Sequence, residues 1–532
     1  MATRTRHATR ARGTGPLLLG EYVDIIAPRL MFSNEPPRWP PDAFAVAASV
    51  LQRAAAYSCV VEEHWPPREH PNWPSFIARV GRRWRYAATR RTPLPRQVRS
   101  WWAQIRNFST LPIEQIRTNR ELCHALLQLS AAADEACTGI GIREYRRRQD
   151  AFDLRASEII ALSRWRTFCD TIDPSRAVVL PKLHTPRSGL TLRSLSHNLA
   201  LSASPEVDTR WYWLPFRVKK WALNLLLLPW PDVVVPDHFR PATRTYKLPG
   251  RFGLFTCDVR RTSAVSVDQV ERVVRRARQM VGRIDGIVFP ELTLRDDEHI
   301  QICQRTRAFV VAGLGSSPAA GMSGENRVGA AVPVGDEIVA TWRQDKHHRW
   351  RVDSNQIAQY GLGSQLDPER EWWEDTPVGS RTLYFWQING WLTLSVLICE
   401  DLARQDPVSN VVRSIGPNLV VALLMDGPQL ASRWPARYAT VLADDPGCSV
   451  LTVTSVGMAL LSRVPGKPES RVVALWKDAA SGKMIEIELE KGAAGVVISL
   501  TRQFAKEWTA DGRNDRGATG YVCLNGIHQV RV

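Results

Sequence analysis

Leu394-Ser-Val-Leu-Ile-Cys-Glu-Asp401 is an apolar run that ends in a cysteine, Cys399, which two acids follow. Continuous apolar runs of this length are typical of strands buried in a parallel sheet. A second stretch, Asp285-Gly-Ile-Val-Phe-Pro-Glu291, has the same design, because its apolar run ends in a carboxylate. Its proline has no backbone N–H to donate and therefore helps to end the strand. Each stretch predicts a strand that holds a reactive side chain at its end.

Short apolar runs alternate with helical patterns around these two stretches. A helix is predicted at about 267–281, and strands are predicted at 223–228, 252–257, 286–289, 309–313, 337–342, 392–398, 419–425, 449–455 and 471–476. Such alternation is typical of an α/β layered domain. We therefore expect an α/β domain over residues 210–505, followed by a C-terminal extension over 506–532 that contains one more strand.

The first part of the chain has a different character. The net charge is +12 over residues 1–210 and only +5 over the remaining 322 residues. We expect a basic, flexible arm at 1–16 and a mainly helical accessory domain, rich in arginine and tryptophan, at 17–205. A connector is expected near 171–215, and the helical patterns within the accessory domain lie at 42–59, 113–137 and 144–166.

Residues 70–113 contain nine arginines, no Asp or Glu, and many interleaved aromatic residues. Arginine contacts phosphate and aromatic rings stack on unpaired bases, so this region allows nucleic-acid binding. The candidate contacts are Arg82, Arg83, Arg85, Arg90 and Arg91. The alternative is an accessory or protein-docking domain in which the aromatic residues form the core and the arginines a solvated face. The sequence favours this second interpretation and leaves the first open.

The bulk composition excludes several classes of protein. A chain of 532 residues is too long for one compact core, so at least two domains are expected. No apolar run reaches the roughly 18 residues that span a bilayer, and we expect no membrane contact. The nine cysteines include no C-x-x-C pair, which argues against a disulfide framework and for a reducing, cytoplasmic location.

Three side chains have types that suit nucleophilic catalysis. Cys399 at a strand end could expose a thiol to a neighbouring base, although such cysteines are more often packed core residues. Glu291 could act as that base in a partly desolvated position, or it could cap a helix. Lys346, one of few lysines in an arginine-rich chain, could stabilise negative charge on an intermediate, or it could lie exposed in a polar loop. Together they suggest acyl transfer to a cysteine more strongly than each does alone.

Residues from about 215 to 505 resemble the carbon–nitrogen hydrolase family, also called the nitrilase superfamily. The matching segments are Val288-Phe-Pro-Glu-Leu292, the Lys346 loop, Leu397-Ile-Cys-Glu-Asp401, Gly416-Pro-Asn-Leu-Val-Val-Ala-Leu-Leu424, Trp434-Pro-Ala-Arg-Tyr438 and Ser449-Val-Leu-Thr-Val-Thr-Ser-Val-Gly457. The resemblance implies a four-layer α-β-β-α sandwich, and it implies hydrolysis of non-peptide carbon–nitrogen bonds in small amides or nitriles through a thioester. No cofactor or metal is implied, and family members commonly form oligomers, so a homo-oligomer is expected here.

The same resemblance implies a role for each candidate residue. Glu291 would be the general base, Cys399 the nucleophile and Lys346 the cation over the intermediate. The backbone N–H of Glu400 would help to stabilise the oxyanion. Many members have a second, supporting glutamate before the cysteine, and Glu374 is our choice for it; Glu369 and Glu371 are the alternatives.

Two segments depart from the family pattern. Lys346 is flanked by Asp345 and His347-His348, and the segment after the nucleophile strand reads Met425-Asp-Gly-Pro-Gln429. The adjacent histidines are not expected to share a metal, because neighbouring side chains diverge on most backbones. The departures leave the substrate open. They also leave an alternative function, in which a catalytically altered nitrilase-like module binds or regulates while the basic N-terminal region docks nucleic acid or a protein.

Overall fold

The structure is a computed structural model of the whole chain. It describes residues 15–90, 92–140, 150–164, 166–183, 189–202, 207–214, 221–261, 264–316, 324–334, 339–379, 381–388, 390–406, 408–463, 468–515 and 520–532. The predicted flexible arm therefore lies almost wholly outside the described residues, as does the start of the helix predicted at 144–166. Within the described segments, no helix combines the length and the apolar character that crossing a membrane requires.

The helices fall into an N-terminal group and a group interleaved with the later strands. The first group comprises α1 Leu19–Ile26, α2 Pro40–Arg53, α3 Trp73–Thr89, α4 Arg96–Asn107, α5 Arg120–Ala136 and α6 Ala151–Leu162. The second comprises α7 Val267–Val281, α8 Asp296–Thr306, α9 Ser354–Tyr360, α10 Glu400–Ala403, α11 Val408–Ile415, α12 Trp434–Asp444 and α13 Val456–Leu461.

The strands begin near the end of the helical region. The first ten are β1 Val178–Pro181, β2 Leu199–Ser202, β3 Asp208–Leu214, β4 Ala222–Leu227, β5 Phe239–Pro241, β6 Phe252–Cys257, β7 Gly286–Val288, β8 Phe309–Ser316, β9 Glu325–Pro333 and β10 Val339–Asp345. The next ten are β11 Arg351–Val352, β12 Glu371–Glu374, β13 Thr382–Ile388, β14 Leu392–Ile398, β15 Leu419–Leu424, β16 Ser449–Thr454, β17 Val472–Lys477, β18 Met484–Glu488, β19 Gly495–Phe504 and β20 Gly520–Val530.

Two seven-stranded sheets form the centre of the α/β region. The first has the order β10-β9-β8-β7-β4-β19-β20 and the second has the order β18-β17-β16-β15-β14-β13-β3. Their facing sides share one hydrophobic core, in which Val288 and Val311 of the first sheet pack with Val396 and Val421 of the second. The strands β14 and β15 are buried throughout and mainly apolar, because both of their faces are covered.

Helices cover the outer face of each sheet. The apolar side of α7, which includes Val270 and Val273, packs with Ile287 and Val310 of the first sheet. On the second sheet, apolar residues of α11 and α12 pack with strands β14 to β16. The layers therefore follow the order α-β-β-α, which is the sandwich that the resemblance implied.

The N-terminal region is mainly helical, as predicted. Its core is built around α5, which is buried over most of its length and which α2, α3 and α4 surround. The region also contains the hairpin β1–β2, and the following strand β3 pairs in parallel with β13 at the edge of the second sheet. The stretch near 171–215, which was expected to be a connector, thus contributes structure to both parts of the chain.

The end of the chain ties the two parts together. β20 pairs with β19, so the predicted C-terminal extension supplies an edge strand to the first sheet. The segment between these strands carries Arg513, whose buried guanidinium donates to Asp134 at 3.0 Å and to Glu135 at 3.1 Å, both on α5. Asp511 in the same segment accepts from the indole N–H of Trp73 at 3.2 Å. The ion pair fixes how the helical region docks, because separating its buried charges would leave each without a partner.

Replacing Arg513 with methionine should destabilise the protein. Removing the guanidinium leaves Asp134, which is fully buried, without its counter-ion, and such a loss costs about 3–5 kcal/mol. The R513M variant should therefore unfold at a clearly lower urea concentration than the wild type, monitored by tryptophan fluorescence. R531M is the matched control, because Arg531 pairs with Glu490 at the surface. An R513M transition that coincides with that of R531M would contradict a structural role for the buried ion pair.

Candidate active site

The candidate residues come from four different strand ends. Glu291 follows β7 and Lys346 follows β10 in the first sheet, whereas Cys399 follows β14 in the second. Glu374 is the last residue of β12, which belongs to a small four-stranded sheet of order β11-β12-β6-β5. All four side chains are buried. The structure brings them together where strand ends of the three sheets meet.

Lys346 bridges two carboxylates. Its Nζ donates to Glu291 Oε1 at 2.8 Å and to Glu374 Oε2 at 2.6 Å. Each of the three residues is nearly inaccessible to water, so these charge-assisted hydrogen bonds are not screened. The ammonium group is consequently held in one position by two rigid partners.

Asn326, a residue that the sequence did not single out, joins the same network. It lies in β9, and its Nδ2 donates to Glu291 Oε1 at 2.7 Å and to Glu374 Oε1 at 2.6 Å. Its backbone carbonyl accepts from the backbone N–H of Lys346 at 3.1 Å, so the β9–β10 hairpin aligns the side-chain amide of Asn326 with the lysine. No strand was predicted over the residues of β9, and a single polar residue outside a recognised pattern carries no signal that separates such a role from ordinary exposure.

The electrostatics of the site follow from burial and from the lysine. Burial raises the pKa of Glu291, the charge of Glu374 adds to this effect, and Lys346 opposes it. For Lys346, burial alone would lower the pKa, but Glu291 and Glu374 outweigh it and hold the pKa well above its usual range. The lysine therefore remains charged, and Glu291 is a stronger base than an exposed glutamate. Glu291 Oε2 is buried and, among the described residues, has no hydrogen-bond partner.

Cys399 occupies a sharp turn between β14 and α10. Its backbone has φ of 45° and ψ of −111°, a conformation that a non-glycine residue adopts only under constraint. The backbone N–H of Cys399 donates to the carbonyl of Leu423 at 2.8 Å, which fixes the turn to β15. Burial raises the pKa of the thiol well above its usual range, Glu291 adds to this effect, and Lys346 opposes it. The thiol is therefore protonated at rest and needs a neighbouring base for attack.

The two histidines after Lys346 serve an anchoring role. Asp401, which is buried on α10, accepts from the backbone N–H of His347 at 3.1 and 3.0 Å and lies 3.0 Å from His348 Nδ1. These contacts link the end of the lysine strand to the turn that carries Cys399. No group of side chains in the described segments has the composition of a metal site.

The remaining candidates lie at different distances from this network. Glu400 begins α10, is partly buried and lies 3.3 Å from Arg404, and burial raises the pKa of its carboxyl. Glu371 pairs with Arg351 near the surface, and Glu369 is exposed. Of the three glutamates considered as the supporting acid, Glu374 is the one that contacts Lys346.

The candidate arginines of the basic N-terminal region lie in different environments. Arg82, Arg83 and Arg90 are exposed on or just after α3. Arg85 is turned inward, where its guanidinium pairs with Asp150 and Asp153 and lies over a phenylalanine ring. Arg91 lies outside the described residues. The tryptophans of this region, Trp73, Trp84, Trp101 and Trp102, are buried in the helical core and present no face for stacking on a base.

No protein-family profile and no curated protein matches the sequence. Solved structures of nitrilase superfamily proteins are similar to about half of this chain. A carbon–nitrogen hydrolase superfamily protein from Xanthomonas campestris, with an arsenic adduct in its active site, is 16% identical; the match covers 52% of this chain and 89% of that one, with a TM-score of 0.31.

Two further structures are similar to the same extent. The amidase from Nesterenkonia sp. AN1, in a mutant that shows Michael addition of acrylamide at the active-site cysteine, is 11% identical over 52% of this chain and 92% of its own, with a TM-score of 0.33. Nit3 of Saccharomyces cerevisiae is 10% identical over 52% of this chain and 89% of its own, with a TM-score of 0.32. Identities and TM-scores this low do not transfer an activity.

Replacing Lys346 with methionine should destabilise the protein in a pH-dependent way. Without the ammonium, Glu291 and Glu374 face each other in a buried site, and the pKa of Glu291 rises further. A carboxyl whose folded-state pKa lies above its ordinary value of 4.5 lowers the free energy of unfolding. This loss of stability is absent at pH values below 4.5 and grows as the pH rises. K346M should lower the free energy of unfolding by about 3–5 kcal/mol near pH 8 and by less near pH 5.

The measurement is the urea midpoint of K346M relative to the wild type at both pH values. The exposed Lys491 supplies the control variant K491M, which should match the wild type throughout. An equal deficit of K346M at pH 5 and pH 8 would show that the lysine does not neutralise buried carboxylates.

Proposed function

We propose that the protein hydrolyses a non-peptide carbon–nitrogen bond in a small amide or nitrile, with Cys399 as the nucleophile. One observation carries the proposal: a charged, buried lysine bridges two carboxylates close to a thiol that a constrained turn presents. A charged triad of this kind is costly to bury and is used where negative charge develops during a reaction. Its arrangement fits acyl transfer to a cysteine followed by hydrolysis.

In the first half-reaction, Glu291 takes the proton from the Cys399 thiol as the sulfur attacks the carbonyl carbon of the amide. The negative charge moves to the carbonyl oxygen. Lys346 and the backbone N–H of Glu400 stabilise that oxyanion. When the intermediate collapses, Glu291 returns the proton to the departing nitrogen, ammonia or an amine leaves, and a thioester on Cys399 remains.

In the second half-reaction, Glu291 removes a proton from water, and the resulting hydroxide attacks the thioester carbon. Collapse of this intermediate releases the carboxylic acid, and the proton returns to the sulfur. The raised pKa of Glu291 suits both transfers, because a base must be strong enough to accept a proton and weak enough to give it back. Glu374 and Asn326 act as positioning residues that hold the side chains of Glu291 and Lys346 in place.

For the helical region we propose an accessory role rather than nucleic-acid binding. Its tryptophans form the core, and its most central candidate arginine, Arg85, is bound to acids of the same region. The region packs on the outer helices of the second sheet, as the contact of β2 with α11 illustrates. Substrate or partner selection from this position is compatible with the hydrolase chemistry.

Replacing Cys399 with alanine should abolish hydrolysis across a panel of small amides and nitriles. Removal of the nucleophile should lower kcat by at least about 10³-fold, because the remaining groups can position a substrate but cannot form the thioester. The wild type, quenched in acid during turnover, should carry one acyl group on the peptide that contains residue 399, detected by mass spectrometry.

C523S provides the matched control, since Cys523 is half-buried in β20 of the opposite sheet. This variant should keep the wild-type kcat. Hydrolysis by C399A at the wild-type rate, or an acyl group mapped to another residue, would overturn the proposed mechanism. A folded wild type that turns over no member of the panel and accumulates no acyl group would favour the binding or regulatory alternative.

A further inference from the structure

Asp426 is a buried acid at the same end of the sheet as the candidate nucleophile, and the proposed mechanism does not use it. It lies two residues beyond the end of β15 and is 5% exposed. Its Oδ1 accepts from the hydroxyl of Tyr360 at 2.6 Å and from Arg433 Nη2 at 2.6 Å. Its Oδ2 is buried and, within the described part of the chain, has no hydrogen-bond partner. A buried acceptor without a partner is costly, unless a ligand supplies the donor.

The strand register puts Asp426 at the same end of the sheet as the thiol. β14 and β15 are parallel, with Ile398 opposite Leu423, and the backbone N–H of Cys399 donates to the backbone carbonyl of Leu423. The chain after Leu424 therefore leaves the sheet at the same end as the turn at Cys399. The charge of Asp426 is among those that raise the pKa of the Cys399 thiol, after burial and the charge of Glu291.

Several contacts hold Asp426 in one place. Thr454 Oγ1 donates to the backbone carbonyl of Asp426 at 2.6 Å. The Tyr360 hydroxyl, which donates to the Asp426 carboxylate, also accepts from the backbone N–H of Gly427 at 3.1 Å. A side chain at position 427 would meet Ser462 Oγ at 2.6 Å and Arg433 Nη1 at 2.8 Å and would force these side chains to shift. The unusual segment Asp426-Gly427 is thus held by close contacts on several sides.

The charges around the thiol do not balance. Glu291, Glu374 and Asp426 are buried acids, whereas Lys346 and Arg433 are the cations that contact them. Glu400 and Asp401 have their own cationic or histidine neighbours. Arg433 pairs with Asp426, whereas Lys346 is shared by Glu291 and Glu374, so among the described residues this group of five carries one negative charge in excess. A bound group that brings a positive charge and an N–H would balance the group and give Asp426 Oδ2 the donor that it lacks.

We propose that the substrate carries a cationic nitrogen, an ammonium or a guanidinium, a few bonds from its scissile carbonyl, and that Asp426 Oδ2 binds it. This inference rests on the proposed hydrolase function and names the class of substrate for the same site. A bound cation would also favour the thiolate form of Cys399 through its charge, so the correct substrate would help to activate its own nucleophile.

Matched alkylating reagents test this proposal without knowledge of the substrate. Three chloroacetamides share one reactive group and differ in the N-substituent: 2-aminoethyl, which is cationic; propyl, which is neutral; and carboxymethyl, which is anionic. In each case the sulfur of Cys399 displaces chloride and forms a thioether. The rate of modification of the peptide that contains residue 399 is measured by mass spectrometry and divided by the rate with free N-acetylcysteine.

The wild type should prefer the cationic over the neutral reagent by about tenfold, because a charge-assisted hydrogen bond to a buried carboxylate is worth at least that factor. D426N should lose this preference and still react with the neutral reagent. D268N is the charge-matched control, since Asp268 is exposed on α7, and it should keep the full preference. The ratio of the cationic to the neutral modification rate in the wild type tests the cationic-substrate proposal even where D426N does not fold.

The two proposals fail in different ways. Equal rates with all three reagents, or a preference for the anionic one through Arg433, would overturn the cationic-substrate inference and leave a reactive Cys399 intact. Retention of the cationic preference in folded D426N would assign the preference to another acid and likewise overturn the role of Asp426. A Cys399 that reacts with none of the reagents, although it reacts after denaturation, would remove the proposed function together with the inference.

Discussion

The buried contact of Lys346 with Glu291 and Glu374 is the constraint on which the rest of the site depends. An ammonium and two carboxylates cannot leave water unless each finds partners, and here each does, at 2.6 to 2.8 Å. The three residues reach one another from the ends of three strands in two sheets. The two sheets must therefore keep a fixed relative position, and the packing of Phe255 and Trp372 of the small sheet against Leu292 beside Glu291 supplies the rigidity.

The rest of the protein can be understood as support for this contact. Asp401 ties the end of the lysine strand to the turn of Cys399, and Asn326 aligns the two carboxylates. Farther away, Arg513 lies in the segment between β19 and β20 and pairs with Asp134 of the helical region. This contact fixes the edge of the first sheet against the accessory domain. Buried ionic contacts recur at each of these junctions, where they fix one geometry among many that hydrophobic packing alone would allow.

Much of the α/β region could be predicted from the sequence because apolar runs and helical periodicity report burial directly. The bounds predicted for β6, β14 and α7 coincide with those in the structure. The supporting glutamate was chosen by resemblance, and its contact with Lys346 became visible only in three dimensions. Asn326, Tyr360 and Arg433 were missed, because their importance depends on partners that are distant in the sequence. A polar residue on a strand or short helix reads as exposed until its neighbours are known.

The N-terminal region shows a different limit of sequence reasoning. Alternating arginines and aromatic rings suit either a nucleic-acid surface or an ordinary helical core, and composition does not distinguish them. The structure buries Trp73, Trp84 and Trp102 and turns Arg85 toward acids of its own region. Strand β3 was also not predicted, since the parallel partner β13 that stabilises it lies about 170 residues farther along the chain.

In the proposed mechanism the Cys399 thiol and the Lys346 ammonium act on the same carbonyl group of a bound substrate, the thiol on its carbon and the ammonium on its oxygen. A crystal structure of the wild type with a small amino-aldehyde would test this directly, because the thiol should add to the aldehyde carbon and leave a hemithioacetal oxygen. The account predicts that oxygen within about 2.7–3.2 Å of Lys346 Nζ. An aldehyde bound to another residue, or an adduct on Cys399 whose oxygen points away from the lysine, would contradict it.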